Sequence, residues 1–106
     1  MSYHVSVYVP LAHVEQVKSA VFSKGAGRFS GYQSCCWETT GRGQFEPLEG
    51  ANPYIGAQNT LSCEEEVKLE FFCDAACIRA VIASMKAAHP YEVPAYLVVQ
   101  HCHAFD

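Results

Sequence analysis

Positive charge is scarce in this sequence. Seven lysines and arginines stand against eleven aspartates and glutamates, giving a net charge of −4, whereas a nucleic-acid binder needs a basic face. Nucleic acid is therefore not expected as a partner. Long apolar runs are missing as well: none approaches the ~20 residues a membrane span requires. With no signal peptide opening the chain, no membrane partner and a cytoplasmic location are expected. Charged residues reach only 17% while half the residues are hydrophobic, a balance that excludes disorder. The chain of 106 residues is long enough for one core but not two, so residues 1–106 are read as a single domain.

Two further absences concern chemistry. None of the six cysteines (Cys35, Cys36, Cys63, Cys73, Cys77, Cys102) forms a C-x-x-C pair, and a chain without a secretion signal does not call for a disulfide framework. Cys35 and Cys36 are adjacent and would point to opposite faces of a strand. Reduced, mostly structural thiols are expected, because free cysteine behaves as a small buried hydrophobe. A phosphate-binding Walker loop is also absent, since Gly41-Arg42-Gly43 lacks its spacing.

What is present is organised around Ala88-His89-Pro90-Tyr91-Glu92-Val93-Pro94-Ala95-Tyr96. Pro90 pushes His89 out of the helical region, so a helix should end at Ala88. Pro94 cannot donate to a sheet ladder, so the last strand should begin beyond it, over 96–101. An imidazole, a phenol and a carboxylate lie between the two prolines. Either His89 and Glu92 cap local backbone groups while Tyr91 packs, or the turn lines a pocket on a rigid scaffold.

Upstream, residues 3–9 alternate as a half-buried strand. Pro10 then opens a helix to about Lys24, with Val14, Val17 and Val21 on one stripe and Gly25 and Gly27 as its stop. A second strand is expected over 32–39. Residues 41–56 hold four glycines and two prolines and follow neither period. They predict a long ordered arm over 41–62 with a short hairpin strand near 44–46. A third strand is expected over 65–73, with Asp74 as the N-cap of a helix that buries Cys77, Ile78, Val81, Ile82 and Met85. The last strand, nearly all apolar, reads as central or covered on both faces.

The two halves form a weak repeat, in which Val14, Val17 and Val21 match Ile78, Val81 and Met85. Two strand–helix–strand units with right-handed crossovers interleave into a four-stranded antiparallel sheet with two helices on one face. The expected class is thus α+β, a ferredoxin-like βαββαβ sandwich. The helices can cover only one sheet face, so assembly into a homo-oligomer is expected, a homotrimer being favoured.

The same segments carry a resemblance. G-x-G-x-F-x-P-x-x-G-A-x-P-x-I-G (Gly41 to Gly56) and A-H-P-Y-E-x-P-A-Y (Ala88 to Tyr96) resemble the YqfO-type domain inserted in the NIF-three-like proteins, as does Lys24-Gly25-Ala26-Gly27. That domain is related in fold to CutA and PII-type proteins, and the stretch from His89 to Pro94 is also similar to the one before the last CutA strand. The resemblance spans nearly the whole chain and implies the CutA/PII-like fold and a tendency to trimerise. Full-length relatives, often labelled homologues of a type-two GTP cyclohydrolase, bind two metal ions in a separate flanking domain. A chain of this length has no room for that domain, so neither metal centre nor label carries over.

Three kinds of site follow. A small molecule or anion could be taken up by Gly41, Arg42, Gly43, Gly50 and Asn52 of the arm together with His89, Tyr91 and Glu92. There, glycine-framed backbone N–H groups and Arg42 or Arg28 would supply charge, although glycine more commonly serves a turn. A divalent metal, zinc or copper, could be held by His101, Cys102 and His103, where two imidazoles share a strand face around a thiol, although no cofactor is required by the pattern. Catalysis would need His89 as base and Glu92 as its orienting acid, with Cys35 or Cys36 as nucleophile, and nothing in the spacing joins them. A binding or regulatory module is therefore favoured over a metal-binding protein, a structural or protein-interaction domain, and an enzyme.

Overall fold

The alternation of Val5, Val7 and Val9 with polar neighbours produces β1, Ser2–Pro10, which lies in the interior of the sheet between two antiparallel partners. The computed structural model describes residues 2–101. After β1 the chain makes a short 3-10 turn, Leu11–His13, and then helix α1, Val14–Ser23. It continues through β2 (Trp37–Phe45), β3 (Ser62–Asp74), α2 (Ile78–Ala88) and β4 (Tyr96–His101). The strand order is β2-β3-β1-β4 and every pairing is antiparallel. This is the ferredoxin-like βαββαβ arrangement.

Both helices lie on one face. Val14, Val17 and Val21 of α1 and Val81 and Met85 of α2 share a core with Val5, Val7, Val9, Val67, Leu69 and Phe71 of the sheet. The helix–strand repeat read from the sequence is thus the repeat that packs. Ser84 Oγ donates to the Ala20 carbonyl at 3.2 Å, and Gln16 Nε2 donates to the Ala88 carbonyl at 2.8 Å. The second bond satisfies an acceptor that the end of α2 would otherwise leave open.

Four expectations need revision. The second strand does not run over 32–39 but over Trp37–Phe45. Gly41, Arg42 and Gly43 therefore sit inside the sheet, paired with Glu66, Glu65 and Glu64. The excursion shrinks to residues 46–61, because backbone pairing with β3 holds a stretch whose side chains show no period. Asp74 is the last residue of β3, opposite Ser2, and a turn separates it from α2, whose N-cap is Cys77 without a side-chain cap bond. Finally, β4 is an edge strand rather than a central one. Its Tyr96 and Val98 pack on the core, while Leu97 and Val99 are exposed on the face away from the helices.

β2 and β3 run past the helical layer as a long ribbon. At ~3.3 Å per residue, the 13 residues of β3 account for most of the 48 Å long axis of the molecule. The ribbon's far end, the arm and the turn after α2 meet at one end of the domain.

Candidate functional site

His89 leaves α2 in an extended conformation, φ −76° and ψ 134°, as Pro90 requires. That conformation folds its ring back onto β1. Nε2 donates to the Tyr8 carbonyl at 2.7 Å, and Nδ1 accepts the backbone N–H of Tyr91 at 3.1 Å. A neutral ring protonated at Nε2 satisfies both bonds and has no capacity left. His89 is buried, and that burial lowers its pKa below the usual histidine value despite the carbonyl bond and the nearby Glu66. It acts as a staple between the turn and the sheet.

Tyr91 and Glu92 fasten the turn in two more directions. The Tyr91 hydroxyl donates to Glu66 Oε2 at 2.6 Å; burial first, then Glu66, raise its pKa well above the tyrosine range. The Tyr91 ring lies 5.8 Å from that of Phe45 at the end of β2. Glu92 Oε1 accepts the backbone N–H of Asn52 at 3.0 Å, which pins the arm to the turn. On the arm itself, Gly50 at φ +95° closes a turn in which the Ala51 N–H donates to the Leu48 carbonyl, a conformation that favours glycine.

Between arm, turn and ribbon lies a cavity of about 390 Å³, within the range of small-molecule sites. Its lining includes the aromatic residues Tyr8, Phe45, Tyr54 and Tyr91 and the acidic residues Glu46, Glu66 and Glu92. Gly43 shapes the floor. A Cβ at that position would fall 2.1 Å from Glu66 Oε1, so only glycine leaves room for the carboxylate to lie across the ribbon.

The sequence-derived candidates divide accordingly. Gly43, Tyr91 and Glu92 line the cavity, and Gly50, Asn52 and His89 hold its walls in place. Gly41 and Arg42 are exposed strand residues outside its lining. Glu92 is engaged by Asn52 and His89 by backbone, so the pair envisaged as base and orienting acid is not assembled. Glu66 is the residue the sequence reading missed. It lies in Glu64-Glu65-Glu66, which reads as solvated strand surface, and only its register opposite Gly41, diagonal to Gly43, shows that it has space to turn inward.

The proposed metal ligands fall elsewhere. His101 ends β4 with Nε2 3.0 Å from Ser2 Oγ and its ring 4.8 Å from Phe72; Cys102 and His103 lie outside the described residues. Among the described residues no group of three or more histidines, cysteines, aspartates or glutamates is placed to hold a metal ion. Cys35, Cys36, Cys63, Cys73 and Cys77 are free thiols, and Cys73 and Cys77 approach to 3.2 Å at the entrance to α2.

No family model matches the chain, but individual proteins do. It is 44% identical over 90 residues to the GTP cyclohydrolase 1 type 2 homolog of Mycobacterium leprae, covering 85% of this chain and 23% of that protein. The Bacillus subtilis protein of the same name is 41% identical over 92 residues, covering 87% of this chain and 25% of its own length. A crystal structure of a Bacillus cereus protein related to NIF3 superposes with a TM-score of 0.80 at 38% identity, over 92% of this chain and 25% of that one. The chain is a homologue of one segment of the NIF3-related proteins. It spans about a quarter of the length of the curated relatives it matches. The fold is shared more widely: CutA from Archaeoglobus fulgidus, a periplasmic divalent cation tolerance protein, superposes at a TM-score of 0.70 over 99% of this chain and 88% of its own, with 14% identity. The CutA/PII-like fold implied by the 41–56 and 88–96 motifs is thus the fold found, and no helix of the described residues is long and apolar enough to cross a membrane.

Proposed function

We propose that this chain is a small oligomeric binding or regulatory module, with its ligand held in the cavity between the arm and the 89–92 turn. The observation that carries this reading is the way the cavity is built. Arm, turn and ribbon are cross-fastened by Tyr91–Glu66 and Glu92–Asn52 around a preformed space of about 390 Å³. Preformed pockets of this kind, with few polar groups among aromatic walls, are characteristic of small-molecule sites. A module is favoured over an enzyme because the one imidazole of the turn is spent on backbone.

Assembly as a homotrimer belongs to the same proposal. The sheet face away from the helices exposes Trp37, Phe72, Leu97 and Val99 on either side of the His4–Glu70 pair, and several exposed apolar side chains on one face suit an interaction surface. A cytoplasmic location completes the reading. The divalent-cation role named for the CutA neighbour, with zinc or copper as the ion, would rest here on His101, Cys102 and His103. The GTP cyclohydrolase label describes proteins about four times as long.

The deciding experiment is a thermal-shift screen over nucleotides, small anions, small organic molecules and divalent metals, since a ligand that binds only the folded state raises Tm by linkage. A hit whose effect disappears when Gly43→Val fills the cavity supports the module. Turnover of a screened compound would favour an enzyme, and silence across the screen would favour a protein-interaction domain.

A further inference from the structure

We infer that the cavity takes an organic cation: an ammonium group carried on an apolar or aromatic body. This deepens the proposed binding function and rests on it. Glu66 is the starting point. Its side chain lies inside the fold, with the residue only 8% exposed, and Oε2 is held by the Tyr91 hydroxyl. Oε1 has no hydrogen-bond partner among the described residues. Glu66 is thus fixed beside the cavity with one oxygen held by Tyr91 and the other open to solvent, a negative charge placed to pair with a ligand's cation.

The protein does not supply the missing cation. No lysine, arginine or histidine lines the cavity, while Glu46 and Glu92 add two more carboxylates. Lys68, on the same sheet face as Glu66, lies 3.7 Å from Glu70 Oε1 instead. An anionic ligand would enter a site with three carboxylates and no counter-charge. A cation would complete Glu66.

The walls select among cations. Hard divalent ions require six or more oxygens, and no suitable group of metal ligands exists among the described residues. The aromatic residues Tyr8, Phe45, Tyr54 and Tyr91 line the space instead. Aromatic faces attract organic ammonium groups and offer apolar area to the rest of such a molecule. Gly43 keeps the approach to Oε1 clear, as shown by the overlap a Cβ would make there.

The test uses three probes of similar size on the full chain: benzyltrimethylammonium, benzyl alcohol and phenylacetate. Binding is followed by calorimetry and located by amide chemical-shift changes on the wild-type protein. Benzyltrimethylammonium should bind with shifts at residues 43–55, 66 and 91–93, and about ten-fold or more weakly to Glu66→Gln. Glu66→Gln keeps an acceptor for Tyr91 but removes the charge. Shifts in those segments with phenylacetate or benzyl alcohol at equal or greater affinity would overturn the cation while leaving the binding site in place. Binding of the cation with shifts elsewhere would also overturn it. Failure of all three probes would overturn the inference, and failure of the wider screen too would remove the binding function with it. Unchanged affinity in Glu66→Gln would likewise overturn the pairing with Glu66, while the place of binding, read on wild type, does not depend on the variant folding.

Discussion

Replacing His89 exposes how the turn is held. His89→Ala removes a donor from the Tyr8 carbonyl and an acceptor from the Tyr91 N–H, both at a buried position. Each orphaned backbone group costs about 1–3 kcal/mol, and some of that is recovered as water enters the space. A net loss of about 3 kcal/mol follows, which for a domain of this size lowers Tm by roughly 12–24 °C. The same geometry fixes the sign of a pH effect. Protonation must occur at Nδ1, which already accepts the Tyr91 N–H, and burial opposes the charge, so the folded pKa lies below the ordinary value. Near and below pH ~6.5, the unfolded histidine value, the unfolded chain binds the extra proton and the folded chain does not. Stability from this group is therefore present above about 6.5 and is lost as pH falls through it toward the folded value. Urea titrations of wild type and His89→Gln between pH 5 and 8 measure it. The wild type should lose stability relative to the variant as pH falls, while the two curves run parallel above neutrality. A wild type that gains stability on acidification relative to His89→Gln, or an alanine variant within 0.5 kcal/mol of wild type (~ the size of a neutral surface change), would refute the staple.

Other outcomes follow from the packing. Met85→Ala, at a fully buried core position, should cost about 2–5 kcal/mol in denaturant titrations, whereas Arg42→Ala on the exposed ribbon should stay within about 0.5 kcal/mol. Iodoacetamide at pH 8 should label exposed Cys63 and Cys35 long before Cys73, whose thiol is pushed up to about 12 by burial and by its bond to Cys77; mass spectrometry after timed quenching gives the order. Light scattering at micromolar concentration should report a trimer, and Leu97→Lys on the exposed β4 face should dissociate it; a wild-type monomer would sink the assembly. Calorimetry with zinc should show only weak uptake that falls when the chain is truncated after Gln100, whereas tight stoichiometric binding lost on truncation would make His101, Cys102 and His103 a real site.

The sequence was most legible where backbone chemistry forces the answer. Pro90 and Pro94 bracket the turn, and α2 ends at Ala88 and β4 starts at Tyr96 as those residues require. The valine stripes of β1 and α1 were equally clear, because apolar periodicity and burial coincide there. Long-range pairing was harder to see. Gly41-Arg42-Gly43 carries no strand period, yet β3 holds it through nine consecutive pairings between β2 and β3. The apolar run of β4 reads as central in sequence because its exposed face has the composition of a covered one, which fits the proposed assembly. Asp74 resembles a cap but is claimed by its pairing with Ser2. Glu66 is the costliest omission, since a glutamate among glutamates gives no local sign that Gly43 on the next strand has made room for it.

Amide hydrogen exchange with and without a compound that raises Tm tests the central claim most directly. The cavity is bordered by the arm and the turn, so occupancy should slow exchange at residues 46–61 and 91–95 beyond any general stabilisation, with the Asn52 amide, already held by Glu92, among the most protected. Protection confined to other segments, or uniform across the sheet with no excess in those two, would contradict a ligand site between arm and turn.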